Sequence, residues 1–293
     1  MLNRSNATTR ALVLGGGGPV GVGWQTGLLS GLREAGVGLE EADVILGTSA
    51  GSVVGAHLAS CRDLTDVPTL MSAAEQHLAP DALAASSGAL LTAMEQAGRA
   101  CDPCRALTAI GRTAQTAGTL DEDAYLDFFS VLADTDWPAA FQCTAIDTDS
   151  GELVIWGAGS GVTLQSAVAA SCSIPAVFPP VTIDGRRYMD GGILSHLNAA
   201  AAPATDIVLA ISCFALSDQE NGNGPRFSAV ADIVNSELDQ LRESRDVMAV
   251  EPVFGDGMAP PKTVGPQLVT QATESGLRQA AHAGPQIQTF WNR

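Results

Sequence analysis

The chain has 293 residues, 46% of them hydrophobic, enough to bury a substantial core and of a length common for one α/β enzyme domain. Its formal net charge of -17, with no clustered Lys and Arg, opposes extended contact with nucleic-acid phosphates or an anionic bilayer, so no nucleic-acid partner is expected. No apolar stretch is long enough to span a bilayer, and Met1 to Arg10 lacks the apolar core of a secretory signal; the expectation is a cytoplasmic protein with at most peripheral membrane contact.

From the N-terminus, residues 1–9 are expected to be flexible. Ala11 to Leu14 is a short apolar run ending in Gly15-Gly16-Gly17-Gly18, and apolar residues recur at helical spacing from Val22 to Ala35, where Gly36 closes the pattern. Asp43 to Leu46 repeats the strand signal, again ended by glycine, and Ser49 to Ser60 carries the small and apolar residues of a buried helix. Two strand-turn-helix units in succession predict a parallel sheet with helices on its faces, where functional groups collect at the carboxyl ends of the strands.

From Cys61 to Pro138 the sequence becomes Ala-rich and helix-favouring with no convincing strand, and reads as a helical insertion or cap. Within it, Cys101-Asp102-Pro103-Cys104 has the spacing of a redox or zinc half-site, but no second Cys pair accompanies it, and two thiols on a helical segment is the simpler reading. The six cysteines are too sparse for a disulfide framework and are expected to be reduced. Asp121-Glu122-Asp123 reads as a solvated helix start, since carboxylates favour that end of the helix dipole.

Sheet character returns at Phe141 to Ile146 and Leu153 to Trp156, a hairpin joined by the turn Asp147 to Gly151. Further strands are predicted at Arg187 to Met189 and Ile207 to Ser212, a flexible loop at Ser217 to Pro225, and closing helices at Ala229 to Arg245 and Gln267 to Ala283.

Three glycine-marked strand ends carry the chemistry. Gly47-Thr48-Ser49-Ala50-Gly51 fits the G-x-S-x-G pattern between a strand and a helix, where a tight turn exposes a serine hydroxyl at a helix N-terminus; alone it favours catalysis over an ordinary strand-to-helix turn only modestly. Gly15 to Gly18 with Gly21 can turn backbone N–H groups toward an anion, and without the Gly-Lys-Ser/Thr ending of a nucleotide loop it fits an oxyanion hole better than a phosphate cradle. Asp190-Gly191-Gly192 offers a carboxylate that this topology could bring within reach of the serine.

In this order the three elements resemble the patatin-like phospholipases, whose pattern is a Gly-Gly-Gly-x-x-Gly loop, a Gly-x-Ser-x-Gly elbow and an Asp-Gly-Gly or Asp-Gly-Ala base. Ala170 to Val181 (ASCSIPAVFPPV) resembles the family's Ala-Ser-x-x-Ile-Pro-x-x-Phe-Pro-Pro segment, and Asp147 to Gly151 its Asp-x-x-x-Gly turn. The likeness covers roughly residues 10 to 212 apart from Cys61 to Pro138. It implies a three-layer α/β/α fold with a mainly parallel central sheet and a helical insertion at 61–138, all within one domain over residues 1–293. It also implies hydrolysis of a phospholipid, a lysophospholipid or a smaller acyl ester, without metal or other cofactor, by a Ser-Asp dyad. Ser49 would be the nucleophile, Asp190 its base, and the N–H groups of Gly16, Gly17, Gly18 and Ala50 the oxyanion hole. Family members often carry Lys or Arg where this chain has Val20, which removes a reason to prefer anionic head groups. Acyl transfer to another acceptor, or a non-catalytic lipid-binding or scaffolding role, stays open at this point.

A Ser-His-Asp triad is the usual alternative, and the chain has only His57, His77, His196 and His282. Of these His196, close behind Asp190, is the one that could reach the serine; a solvated or supporting role is the simpler reading. Trp24 and Phe178 could line an acyl pocket, though an aromatic in apolar sequence is more often core.

Overall fold

The computed structural model describes residues 8–67, 92–217, 228–253 and 266–293. Among them, eight strands form one sheet. Its centre is parallel: β1 (Arg10–Leu14) pairs with β2 (Val44–Gly47) on one side and β7 (Ile207–Ile211) on the other, β2 with β3 (Phe141–Asp147), and β7 with β8 (Asp246–Val250). The fringe is antiparallel: β4 (Leu153–Gly157) and β6 (Arg186–Asp190) pair with β3, and β5 (Val181–Ile183) with β6.

Successive residues of a strand point to opposite faces, and here both faces are covered. Leu12 and Leu14 pack among α1 (Gly18–Glu34), α2 (Ala50–Ala59) and α7 (Pro266–Trp291), whereas Ala11 and Val13 pack against Val234, Leu238 and Leu241 of α6 (Ser228–Arg242). This is a three-layer α/β/α arrangement. It explains why β1 and β7 read as unbroken apolar runs rather than alternating ones.

The outer helix layer depends on glycine. A Cβ at Gly27 of α1 would lie 1.9 Å from the Thr273 carbonyl oxygen of α7, and one at Gly276 of α7 would lie 2.2 Å from the Trp24 carbonyl oxygen. The two helices touch backbone to backbone, so Gly27→Ala is expected to force them apart and destabilise the fold by about 1–3 kcal/mol or more, as overpacking does. A thermal melt checks this, and an unchanged midpoint would contradict the close contact.

Several boundaries differ from the sequence expectation. Helix α1 begins at Gly18, not Val22, because Pro19 in the first turn lacks only an N–H that has no helical partner there. Helix α7 runs through Pro285 to Trp291 rather than stopping at Ala283. Burial of Ile287, Phe290 and Trp291, with the Trp291 indole N–H bonded to the Gly38 carbonyl at 3.2 Å, outweighs the cost of an internal proline. Strands β5 and β8 and helix α5 (Leu164–Ser171) carry no clear sequence signal: β5 has three residues, β8 is a partly exposed edge, and α5 has eight mostly small residues.

The described part of 61–138 is helical, with α3 (Pro103–Thr116) and α4 (Glu122–Leu126) begun by side-chain caps from Asp102 and Asp121. Cys101 and Cys104 are exposed at the start of α3. Helix α3 docks on the turn after β3, where Gln115 Nε2 donates to Thr148 Oγ1 at 2.6 Å and Asp149 Oδ1 at 2.9 Å. That turn is set by Asp147, whose Oδ1 accepts the Asp149 and Ser150 amides. Residues 1–7, His77 and most of the Ser217 to Pro225 loop lie outside the described residues; Thr9, in the segment expected to be flexible, is held by the Asp206 carboxylate at 2.8 Å.

Candidate active site

The meeting of Ser49 and Asp190 is a consequence of strand register. Strand β4 occupies one edge of β3 from Gln142 to Ile146, so β2, paired at Phe141 to Cys143 via Ile45 to Gly47, and β6, paired at Ala145 to Asp147, must share the other edge. The two strands run toward each other and end nose to nose at Thr144. The Ser49 turn comes directly after β2, and Asp190 is the last residue of β6.

Ser49 has φ 52 and ψ -118, a left-handed conformation that costs a non-glycine residue of order 1–3 kcal/mol and persists only where its surroundings enforce it. Enforcement comes from both sides. The Ser49 N–H donates to Ser171 Oγ at 2.9 Å, and its carbonyl accepts from Ser52 Oγ at 2.7 Å. Close packing needs glycine after it: a Cβ at Gly51 would lie 2.0 Å from the Leu14 carbonyl oxygen.

The Ser49 hydroxyl donates to Asp190 Oδ2 at 2.7 Å, and Asp190 Oδ1 accepts the Gly192 N–H at 2.7 Å. Asp190 is fully buried, and burial raises its carboxyl from 3.8 to about 7, against the two hydrogen bonds that favour the ionised form. The Asp190 N–H is fixed on the Ser173 carbonyl at 2.9 Å. The ASCSIPAVFPPV segment therefore supports both partners, through Ser171 and Ser173.

The glycine loop lies over this pair, with a Cβ at Gly16 only 3.2 Å from Ser49 Cβ. Gly15 N–H bonds the Ile211 carbonyl at 2.9 Å and Gly16 N–H the His196 carbonyl at 2.7 Å. Gly16 is thus corrected as an oxyanion donor, since its hydrogen is already committed to pinning the loop. Gly17 is the N-cap of α1, and Gly18 and Ala50 are the first residues of α1 and α2, whose opening N–H groups have no acceptor within their own helices. The first turns of these helices touch, a Cβ at Gly21 lying 3.6 Å from that of Ala50, so two positive helix ends converge beside Ser49.

A model of the family described as patatin-like phospholipase matches residues 12–203, which includes the glycine loop, the serine turn and Asp190. The chain belongs to the patatin-like phospholipase family. It is 30% identical over 211 residues to an uncharacterized NTE family protein of Mycobacterium tuberculosis, covering 71% of this chain and 50% of that protein. It is 27% identical over 227 residues to a lysophospholipase of Coccidioides immitis, covering 76% of this chain and 13% of that protein. The chain thus spans half or less of the length of these curated relatives. Among solved structures it is similar to VipD from Legionella pneumophila, with a TM-score of 0.49 and 12% identity over 96% of this chain and 67% of that one.

In this patatin-like chain no histidine is bonded to Ser49 among the described residues. His196 Nε2 meets Ser212 Oγ at 2.8 Å, its ring lies edge-on to Phe214, and burial lowers it to about 3, so it is neutral at physiological pH. His57 is turned onto the Val53 carbonyl within α2. Trp24 belongs to the core, its indole N–H bonded to Gln279, whereas Phe178 stacks on Tyr125 at 4.8 Å beside α4. A cavity of about 680 Å³ lies between Gly98, Arg99 and α6 and is lined by neither Ser49 nor Asp190.

Sequence reasoning missed the supporting residues. Ser52 and Ser171 hold the Ser49 backbone, and Thr48 Oγ1 meets Thr144 Oγ1 at 2.8 Å beneath the junction of the two strand ends. Ser171 lies inside the family-like segment Ala170 to Val181, where its position alone assigns it no role; Thr144 has no signal beyond its place in a strand.

Proposed function

We propose that the chain is a serine acyl-ester hydrolase of the phospholipase A, lysophospholipase or esterase type. The observation that carries this reading is the direct 2.7 Å hydrogen bond from Ser49 Oγ to Asp190 Oδ2, with no imidazole between them. Asp190 takes the hydroxyl proton as Ser49 Oγ attacks the ester carbonyl, and its displacement to about 7 makes it a stronger base than an exposed carboxylate while leaving it ionised at slightly alkaline pH. The charge that develops on the carbonyl oxygen faces the N–H groups of Gly17, Gly18 and Ala50, held in place before reaction by two helix N-termini.

Collapse of the tetrahedral intermediate transfers the proton from Asp190 to the departing alcohol and leaves an acyl ester on Ser49. Water, deprotonated by the same carboxylate, then releases the fatty acid and restores the hydroxyl. A zwitterionic lysophospholipid or a neutral short-chain ester fits a chain with net charge -17 and Val20 in the glycine loop better than an anionic lipid does.

The test is fatty-acid release from dispersed lysophosphatidylcholine, with p-nitrophenyl butyrate as a soluble probe. Saturable turnover of at least one is the expected result, and a folded protein inert toward both would sink the reading. Replacing the neutral His196 by Asn should keep hydrolysis within about tenfold of the parent, with the same pH profile, because loss of a true general base costs 10²–10⁴-fold. A drop of that larger size at preserved stability would turn the dyad into a triad.

A further inference from the structure

We propose that Asn198 is a positioning residue that holds the two strand ends at reacting distance; this rests on the reading of Ser49 and Asp190 as the reacting pair. Asn198 is buried, and its amide Nδ2 lies 3.2 Å from Thr48 Oγ1, 3.4 Å from Thr144 Oγ1 and 3.1 Å from the Gly191 carbonyl oxygen. A carbonyl can only accept, so the contact to Gly191 fixes which end of the amide faces the junction. Thr48 immediately precedes Ser49, Gly191 immediately succeeds Asp190, and Thr144 belongs to the strand along which both ends are laid. One side chain thereby fastens the nucleophile's turn and the base's turn to the same point.

The backbone at this position is built for the task. Asn198 has φ 48 and ψ 37, the left-handed region that asparagine tolerates better than most residues. Its N–H is held by Ser195 Oγ at 3.2 Å, and the next amide, Ala199, donates to Glu237 Oε2 of α6 at 3.0 Å. The other amide atom, Oδ1, is buried with no hydrogen-bond partner, a cost that an apolar residue of this size would avoid. The backbone suits asparagine, and although its acceptor is unsatisfied, its amide N–H groups face both turns and the strand between them. They set the Ser49 to Asp190 separation, on which proton transfer depends steeply.

The experiment compares Asn198→Gly, which relaxes the left-handed backbone while deleting the side chain, with Asn198→Asp, which keeps the shape but turns an acceptor toward the Gly191 carbonyl. Hydrolysis of p-nitrophenyl butyrate is measured well below the melting temperature and normalised to the sites that a fluorophosphonate can titrate, so partial unfolding does not enter. Both variants are expected to lose about 10- to 100-fold in kcat per titrated site with KM within about twofold of the parent, the signature of lost alignment rather than lost binding. A merely structural role would lower the melting temperature and the number of titratable sites but leave kcat per site unchanged, and that result overturns the proposal. So does a raised KM at unchanged kcat. Ser49→Ala serves as the separate control: its inactivity alongside fully active Asn198 variants would leave the dyad standing and remove only Asn198.

Discussion

Ser49→Ala is expected to lower ester hydrolysis by about three orders of magnitude or more while leaving the fold intact, because alanine cannot form the acyl intermediate and the remaining N–H donors supply only residual catalysis. The fold survives because the change removes one oxygen and keeps the contacts of the turn: the Ser49 N–H still reaches Ser171 Oγ and the carbonyl still accepts from Ser52. Circular dichroism and a thermal melt establish the second half of the expectation, and steady-state turnover the first. Parent-like turnover in the variant would move the chemistry away from the elbow altogether.

Asp190→Asn is expected to be nearly as damaging to activity, and to raise stability. Activity falls because an amide cannot accept the Ser49 proton. In the parent, kcat/KM should rise with pH as the Asp190 carboxyl ionises around pH 7, and no histidine titration is needed to explain the rise. Stability moves in the opposite direction. The folded protein holds the Asp190 proton up to about pH 7, whereas the unfolded chain releases it near 3.8. Between those values the native state binds more protons than the unfolded state, so this group's contribution to stability is complete below about pH 4 and is lost as pH rises through 7. The full loss is on the order of 4 kcal/mol. Asp190→Asn removes it, and the variant should melt above the parent at pH 8 by a margin that closes as pH falls toward 4. A margin independent of pH would show that Asp190 is not held protonated by burial.

Much of the site was legible because glycine leaves a physical trace where backbone segments must touch. Gly51 precludes a Cβ that would strike Leu14, and the strand-turn-helix reading around Ser49 rests on that neighbourhood. Short apolar runs bounded by glycines and turn residues likewise located β1, β2, β3, β4, β6 and β7. The features that the sequence did not disclose are long-range. That β2 and β6 share one edge of β3 depends on pairing between residues far apart in the chain, Ile45 with Phe141 and Ala145 with Asp190, and nothing local to Asp190 announces it. The commitment of the Gly16 N–H to the His196 carbonyl is of the same kind, since a run of glycines does not say which amide points outward. Helix α7 extends past Pro285 for a tertiary reason, the burial of Phe290 and Trp291, that outweighs a local breaker.

Whether Ser49 is the activated nucleophile is tested most directly by covalent labelling. The purified protein is treated with a fluorophosphonate at pH 8 and the modified residue located by mass spectrometry, with Asp190→Asn treated in parallel. The expected result is a single adduct on Ser49, formed far more slowly in Asp190→Asn because the hydroxyl has lost its base. An adduct on another residue, or Ser49 labelling at an equal rate in Asp190→Asn, would contradict it.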